Sequence, residues 1–125
     1  MKKIAFALSF VLISLFSICN AQTIASDAGA MARQFGYYAA FGDATKASLS
    51  VTPSNDVTSY VSSVKAEVDE LGGIAKIFVE NEEVINENEA KVSLVFVCKK
   101  EDAQIHKTYI LRKVNSTWKI ATDKL

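Results

Sequence analysis

The sequence predicts an α+β domain in which helices from the first half cover one face of an antiparallel sheet made by the second half. Three observations predict it. Apolar residues recur with helical spacing as far as Leu71; Gly72 and Gly73 then interrupt the chain; from Ile74 onward the apolar residues recur at every second position. Turn-forming residues divide that second half into four short strands in succession.

Before the domain comes a leader. Lys2 and Lys3 give a positive start, residues 4–18 are apolar apart from Ser9, Ser14 and Ser17, and a short exit ends in the small residue Ala21. That order predicts a secretory signal over residues 1–21, cut between Ala21 and Gln22, and a single domain over residues 22–125. The apolar run is shorter than the ~20 residues of a membrane-spanning helix. Cys19 raises a second route, cleavage before a cysteine that then carries lipid; Ile18, where that route wants a small residue, argues against it. The expected location is the periplasm or cell envelope, with secretion as an alternative and membrane attachment only through lipid at Cys19.

The first helix is expected over residues 27–41. Ser26 can cap its free N–H groups, Met31, Phe35, Tyr38 and Ala39 form one apolar stripe, and Gly42 can stop it. Asp43 can cap a short second helix over residues 44–49, and Pro53 ends the pattern. The third helix carries the strongest signal. Val57, Tyr60, Val61, Val64, Val68 and Leu71 lie on one stripe, with Lys65, Glu67, Asp69 and Glu70 off it and Ser54, Asn55 and Asp56 as capping candidates. Strands are expected over residues 74–85, 91–100, 104–114 and 117–121, joined by turns at 86–89, 101–103 and Asn115-Ser116. In the second strand Val92, Leu94, Phe96 and Cys98 point one way and Ser93, Val95 and Val97 the other. Outward valines break the polar alternation of a solvated face, which predicts a homodimer through the sheet's outer surface.

Composition narrows the partners. Loss of Lys2 and Lys3 lowers lysine plus arginine from 14 to 12 against 14 acidic residues, all of them beyond Asn20, so the mature chain carries a net charge of −2. That balance offers no electrostatic reason to expect nucleic acid or acidic lipid. Cleavage leaves Cys98 as the lone cysteine. It cannot form an intramolecular disulfide, and its apolar strand predicts a buried small hydrophobe more than a reactive thiol.

Several residues carry a resemblance to a known fold family. Phe41-Gly42-Asp43-Ala44 with Lys46-Ala47 looks like a helix–helix corner, Glu89-Ala90-Lys91-Val92 like the opening of a second strand, and Leu111-Arg112-Lys113-Val114 with residues 115–120 like a closing hairpin ending in Trp118-Lys119-Ile120. In that order they resemble the nuclear-transport-factor-2-like, or cystatin-like, superfamily, most closely the bacterial exported group termed domain of unknown function 4878, which is lumazine-binding-like. The family usually has glycine in the last turn; Asn115-Ser116 stands there, and asparagine can adopt the same backbone shape. The resemblance implies a curved four-stranded sheet wrapping helices around a cone-shaped cavity. It carries no established reaction.

Enzymes resembling this fold, of the ketosteroid-isomerase and dehydratase kind, place acids, bases or tyrosine donors in the cavity. Tyr37, Tyr38, His106, Tyr109 and Trp118 are the candidates for lining such a pocket. Each has a plainer reading. Tyr38 lies on a core stripe, His106 sits on a partly polar strand, Trp118 has the bulk of a core anchor, and Asp43 is explained as a cap. One histidine is too few for a metal site, and no metal, cofactor or catalytic set is expected. The acidic residues Glu80, Glu82, Glu83, Glu87 and Glu89 read as a solvated face guarding strand edges. Asn115-Ser116-Thr117 matches a glycosylation acceptor by chance beside a bacterial-looking signal. The expected role is a non-catalytic exported module that binds a small apolar ligand or a protein. The rivals are a cavity enzyme of the kind above and a structural envelope protein.

Overall fold

A computed structural model describes residues 27–52 and 56–125. The leader, Cys19, Ser26, Pro53, Ser54 and Asn55 lie outside the described residues. Helix α1 spans Asp27–Ala40, α2 spans Ala44–Ala47 and continues as a 3₁₀ turn at Ser48–Ser50, and α3 spans Thr58–Glu70. Strands β1 (Ile74–Asn86), β2 (Glu89–Cys98), β3 (Gln104–Val114) and β4 (Thr117–Ile120) form one antiparallel sheet in chain order. Three helices therefore pack against a four-stranded antiparallel open sheet, the expected α+β class. Among the described residues no helix is long and apolar enough to cross a membrane.

Small residues let α1 lie close to the sheet. Its buried face is Ala28, Ala32, Phe35, Gly36 and Ala39. A Cβ at Gly36 would stand 3.1 Å from Cζ of Phe96 and 3.3 Å from Leu94, so glycine permits the aromatic ring to fit beneath the helix. Gly42, at φ 76°, ends α1, and the next amide, Asp43 N–H, donates back to Tyr38 O at 2.9 Å. Asp43 Oδ1 then accepts from Lys46 N–H at 3.0 Å, the predicted cap of α2. Asp56 accepts from Thr58 N–H at 2.9 Å at the entrance to α3. That helix packs against α1 and α2 and reaches the sheet through long side chains.

The strand boundaries differ slightly from expectation, for local reasons. β2 begins at Glu89 because Asn86 pairs with it, and Asn86 Oδ1 accepts from Asn88 N–H at 2.8 Å, which tightens the turn to two residues. β2 ends at Cys98 because the next two amides leave the ladder. Lys99 N–H donates to Gly73 O at 2.9 Å and Lys100 N–H to Leu71 O at 2.8 Å. Asn115 and Ser116 both take positive φ, 53° and 68°, as a two-residue hairpin requires.

The last residues close the fold. Val51 bridges Ile120, Thr52 N–H donates to Ile120 O at 2.8 Å, Lys119 Nζ donates to Leu49 O at 2.6 Å, and the Thr52 and Thr122 hydroxyls lie 3.0 Å apart. The core between helices and sheet holds Phe35, Val61, Val64, Val68, Ile77, Leu94, Phe96, Cys98, Leu111 and Ile120, all buried. Cys98 is buried as expected. Trp118 is half-buried at the margin, with Lys113 Nζ 5.2 Å above its ring, and so is a flank of the core. Val95 and Val97 do point away from the helices, yet they are 2% and 8% exposed within one chain. Val95 is flanked across the strands by Phe78 and His106, and Val97 by Lys76 and Gln104.

Candidate functional site

The five pocket candidates do not converge. In β3 the side chains of Ile105, Lys107 and Tyr109 face the helices, so His106 lies on the opposite face, exposed, with Nδ1 3.4 Å from Glu80 Oε1. Tyr37 and Tyr38 are neighbours on α1 and diverge by about 100°. Tyr38 Oη accepts from Gln34 Nε2 at 3.1 Å on the surface, whereas Tyr37 Oη accepts from Ile77 N–H at 3.0 Å on β1. Trp118 sits on β4 beside Lys113. Of the five, Tyr109 is the buried one.

Tyr109 belongs to a cluster at the seam between α3 and β3. Phe35 stacks on Tyr60 with centroids 6.0 Å apart and meets Tyr109 edge-on at 5.5 Å. The Tyr60 and Tyr109 rings also meet edge-on, and their hydroxyls lie 2.5 Å apart. Two hydroxyls bring two protons; one is used between them, and the other is left to donate elsewhere. Beside the pair, Lys107 Nζ from β3 lies 3.0 Å from Glu67 Oε1 of α3, with the lysine side chain 21% exposed. A lysine on the helix-facing side of a sheet is tolerated because a carboxylate meets it.

Burial pushes the Tyr109 hydroxyl far above the ordinary tyrosine range, with the Tyr60 pair and Glu67 adding to it. Burial also raises Tyr60, partly offset by its hydrogen bond from Tyr109. Cys98 is raised first by burial and then by the Glu67 charge, the opposite of an activated thiolate. Tyr60, Glu67 and Lys107 were not singled out as site residues in the sequence. Period-2 alternation puts Lys107 on the face of Tyr109, a signal that was available; the pairing across to α3 depends on tertiary structure. Among the described residues no three His, Cys, Asp or Glu side chains are grouped to hold a metal.

A second region lies along β1, at the sheet's edge. Arg33 Nε donates to Ile77 O at 2.7 Å, so with Tyr37 both backbone polar groups of Ile77 are capped from α1. Arg33 lies 5.3 Å over the Tyr37 ring, and Tyr37 stacks on Phe41 at 6.2 Å. Beyond Ile77 the strand is open. Phe78, Val84 and Ile85 are exposed, Val84 to 69%, among Glu80, Glu82, Glu83 and Glu87. Glu80 faces His106, and Glu83 lies 3.7 Å from Lys91. Among the described residues Glu82 and Glu87 have no ion-pair partner.

This arrangement, a meander of four antiparallel strands with N-terminal helices packed on one face, defines a class of open-sheet α+β domains. The class is that of the nuclear-transport-factor-2-like fold. A candidate nuclear-transport-factor-2-like transpeptidase from Campylobacter jejuni shares it with a TM-score of 0.65 and 19% identity, over 74% of this chain and 94% of that one. A nuclear-transport-factor-2-like protein of unknown function from Shewanella oneidensis MR-1 shares it with a TM-score of 0.52 and 14% identity, over 75% of this chain and 91% of that one. At these identities the likeness is one of fold. No family model matches the chain, and no curated protein matches it.

Proposed function

We propose that this chain is an exported, non-catalytic binding module whose working surface is the open part of β1 and whose partner is a protein. The observation that carries it is the exposure of Val84, Ile85 and Phe78 along one sheet edge, while the interior between helices and sheet is filled by Phe35, Tyr60 and Tyr109. Apolar side chains left exposed along the length of an edge favour a macromolecular partner over a small one. Export is supported by Lys2, Lys3, the apolar run and Ala21, with cleavage before Gln22 and no lipid at Cys19. Kinship with the exported group domain of unknown function 4878 is supported by the α1–α2 corner, where Gly42 has a positive φ and Asp43 caps α2.

The non-catalytic reading is supported at the seam. Hydroxyl meets hydroxyl and ammonium meets carboxylate, which is how structural groups are satisfied. The transpeptidase description of the Campylobacter protein does not carry over to Cys98, which is buried and disfavoured as a thiolate. A second reading, a small ligand at the seam, is favoured by the spare proton of the Tyr60–Tyr109 pair.

A photo-crosslinking side chain placed at Val84 in the native host tests the first reading. A discrete protein adduct at Val84, and none from the same probe at exposed Thr45 on α2, is expected. No adduct at Val84, or equal labelling at both positions, would overturn it.

A further inference from the structure

We propose that the β1 edge takes up a short, extended, basic segment of a partner protein as an added strand. The inference rests on β1 being the working surface and names the chemistry of what binds there. It begins with the backbone. Among the described residues β1 pairs on one side only, with β2, and Ile77 turns both its N–H and its C=O to the other side, where Arg33 and Tyr37 take them. Ile77 is opposite Phe96. Residues opposite Leu94, Val92 and Ala90 share its orientation: these are Val79, Glu82 and Val84. Their outward backbone groups have no partner among the described residues, and they present a template for a further strand.

The side chains select what can pair. Strand edges are commonly blunted by lysine or proline. Between Ile77 and Ala90 this chain has neither; it has Glu80, Glu82, Glu83, Glu87 and Glu89. Two copies of β1 laid edge to edge would bring carboxylates against carboxylates, which is unfavourable. The charge that rejects a second copy suits a strand bearing lysine or arginine. Apolar contacts are available on both faces, from Val84 on the helix side and Phe78 on the outer side. A matching segment therefore carries basic and apolar residues on both of its faces. Register shifts before Asn81 and after Val84 bracket the regularly paired stretch, and bulges end pairing, so the added strand is short.

The test uses the purified protein and an acetylated, amidated lysine–valine peptide with both residue types on each face of the strand. Fluorescence anisotropy is expected to show binding that weakens with salt, and amide exchange is expected to slow at Glu82 and Val84. The Glu82→Lys variant changes a half-buried side chain with no ion pair among the described residues, and circular dichroism checks that it folds; it is expected to weaken binding by about tenfold. The same peptide N-methylated at alternate residues keeps the charge and cannot complete the ladder, so it is expected not to bind. Equal binding by the N-methylated peptide, by a glutamate–valine peptide or by Glu82→Lys would overturn the proposal. So would protection mapped elsewhere, or light scattering showing that copies of the chain pair along β1. An adduct at Val84 in the host without lysine–valine binding overturns the partner chemistry and leaves the working edge standing. Absence of that adduct removes the working edge itself.

Discussion

The seam beneath α3 and the free edge of β1 are built from similar materials and end in opposite states. Both combine aromatic rings, a cation and carboxylates. At the seam the side chains pair across two elements: Tyr60 with Tyr109, Glu67 with Lys107. Along β1 the cover from α1 stops after Ile77: Glu80 and Glu83 meet His106 and Lys91, while Val84 and Ile85 face water. The comparison teaches that conspicuous polar residues indicate function poorly when they satisfy one another. Backbone groups and valines left without cover are the more informative sign.

The largest effect expected from disturbing this contrast is at Phe35. It touches both tyrosines and is fully buried, so Phe35→Ala should cost on the order of 3–5 kcal/mol in chemical denaturation. A midpoint near wild type would mean that the seam is loosely filled and would favour the small-ligand reading. A smaller effect is expected at Tyr109. Tyr109→Phe leaves the Tyr60 hydroxyl without its partner and should cost about 1–2 kcal/mol.

The same residue predicts an alkaline limit. Its folded-state pKa is raised above the ordinary value of 10.0, so the native chain holds its proton where the unfolded chain releases it. The stability this contributes is complete below pH 10 and is lost above it, by up to about 1.4 kcal/mol per pH unit. Denaturation midpoints should fall above pH 10 in wild type and fall less steeply in Tyr109→Phe. The smallest effect belongs to the outer face. His106 and Glu80 are both exposed, and His106→Ala should change stability by less than about 1 kcal/mol. A larger loss would show that His106 matters as the cover of Val95.

Much of the fold was legible because local rules and tertiary structure agree. The stripe from Val61 to Val68, the Gly72-Gly73 break and the Asn115-Ser116 turn each express a backbone preference that the fold also needs. The candidate site was less legible. Tyr109 and His106 stand three positions apart on one strand, so alternation alone sets them on opposite faces and they cannot share a pocket. Tyr60 read as one more member of an apolar stripe, because nothing local distinguishes a tyrosine that packs from one that finds a hydroxyl on a strand 49 residues away. Alternation says which way Val95 and Val97 point; how far the neighbouring strands cover them depends on Phe78, His106, Lys76 and Gln104.

The clamp between residues 49–52 and 119–122 has a consequence for how the chain is made. Each strand pairs with its neighbour in sequence, so the hairpins are short-range contacts that form quickly. The attachment of the segment after α2 to the sheet is different: it spans some seventy residues and uses the last strand and the residues just beyond it. On a ribosome this clamp can close only once residues 119–122 have been made, after the earlier hairpins are free to pair.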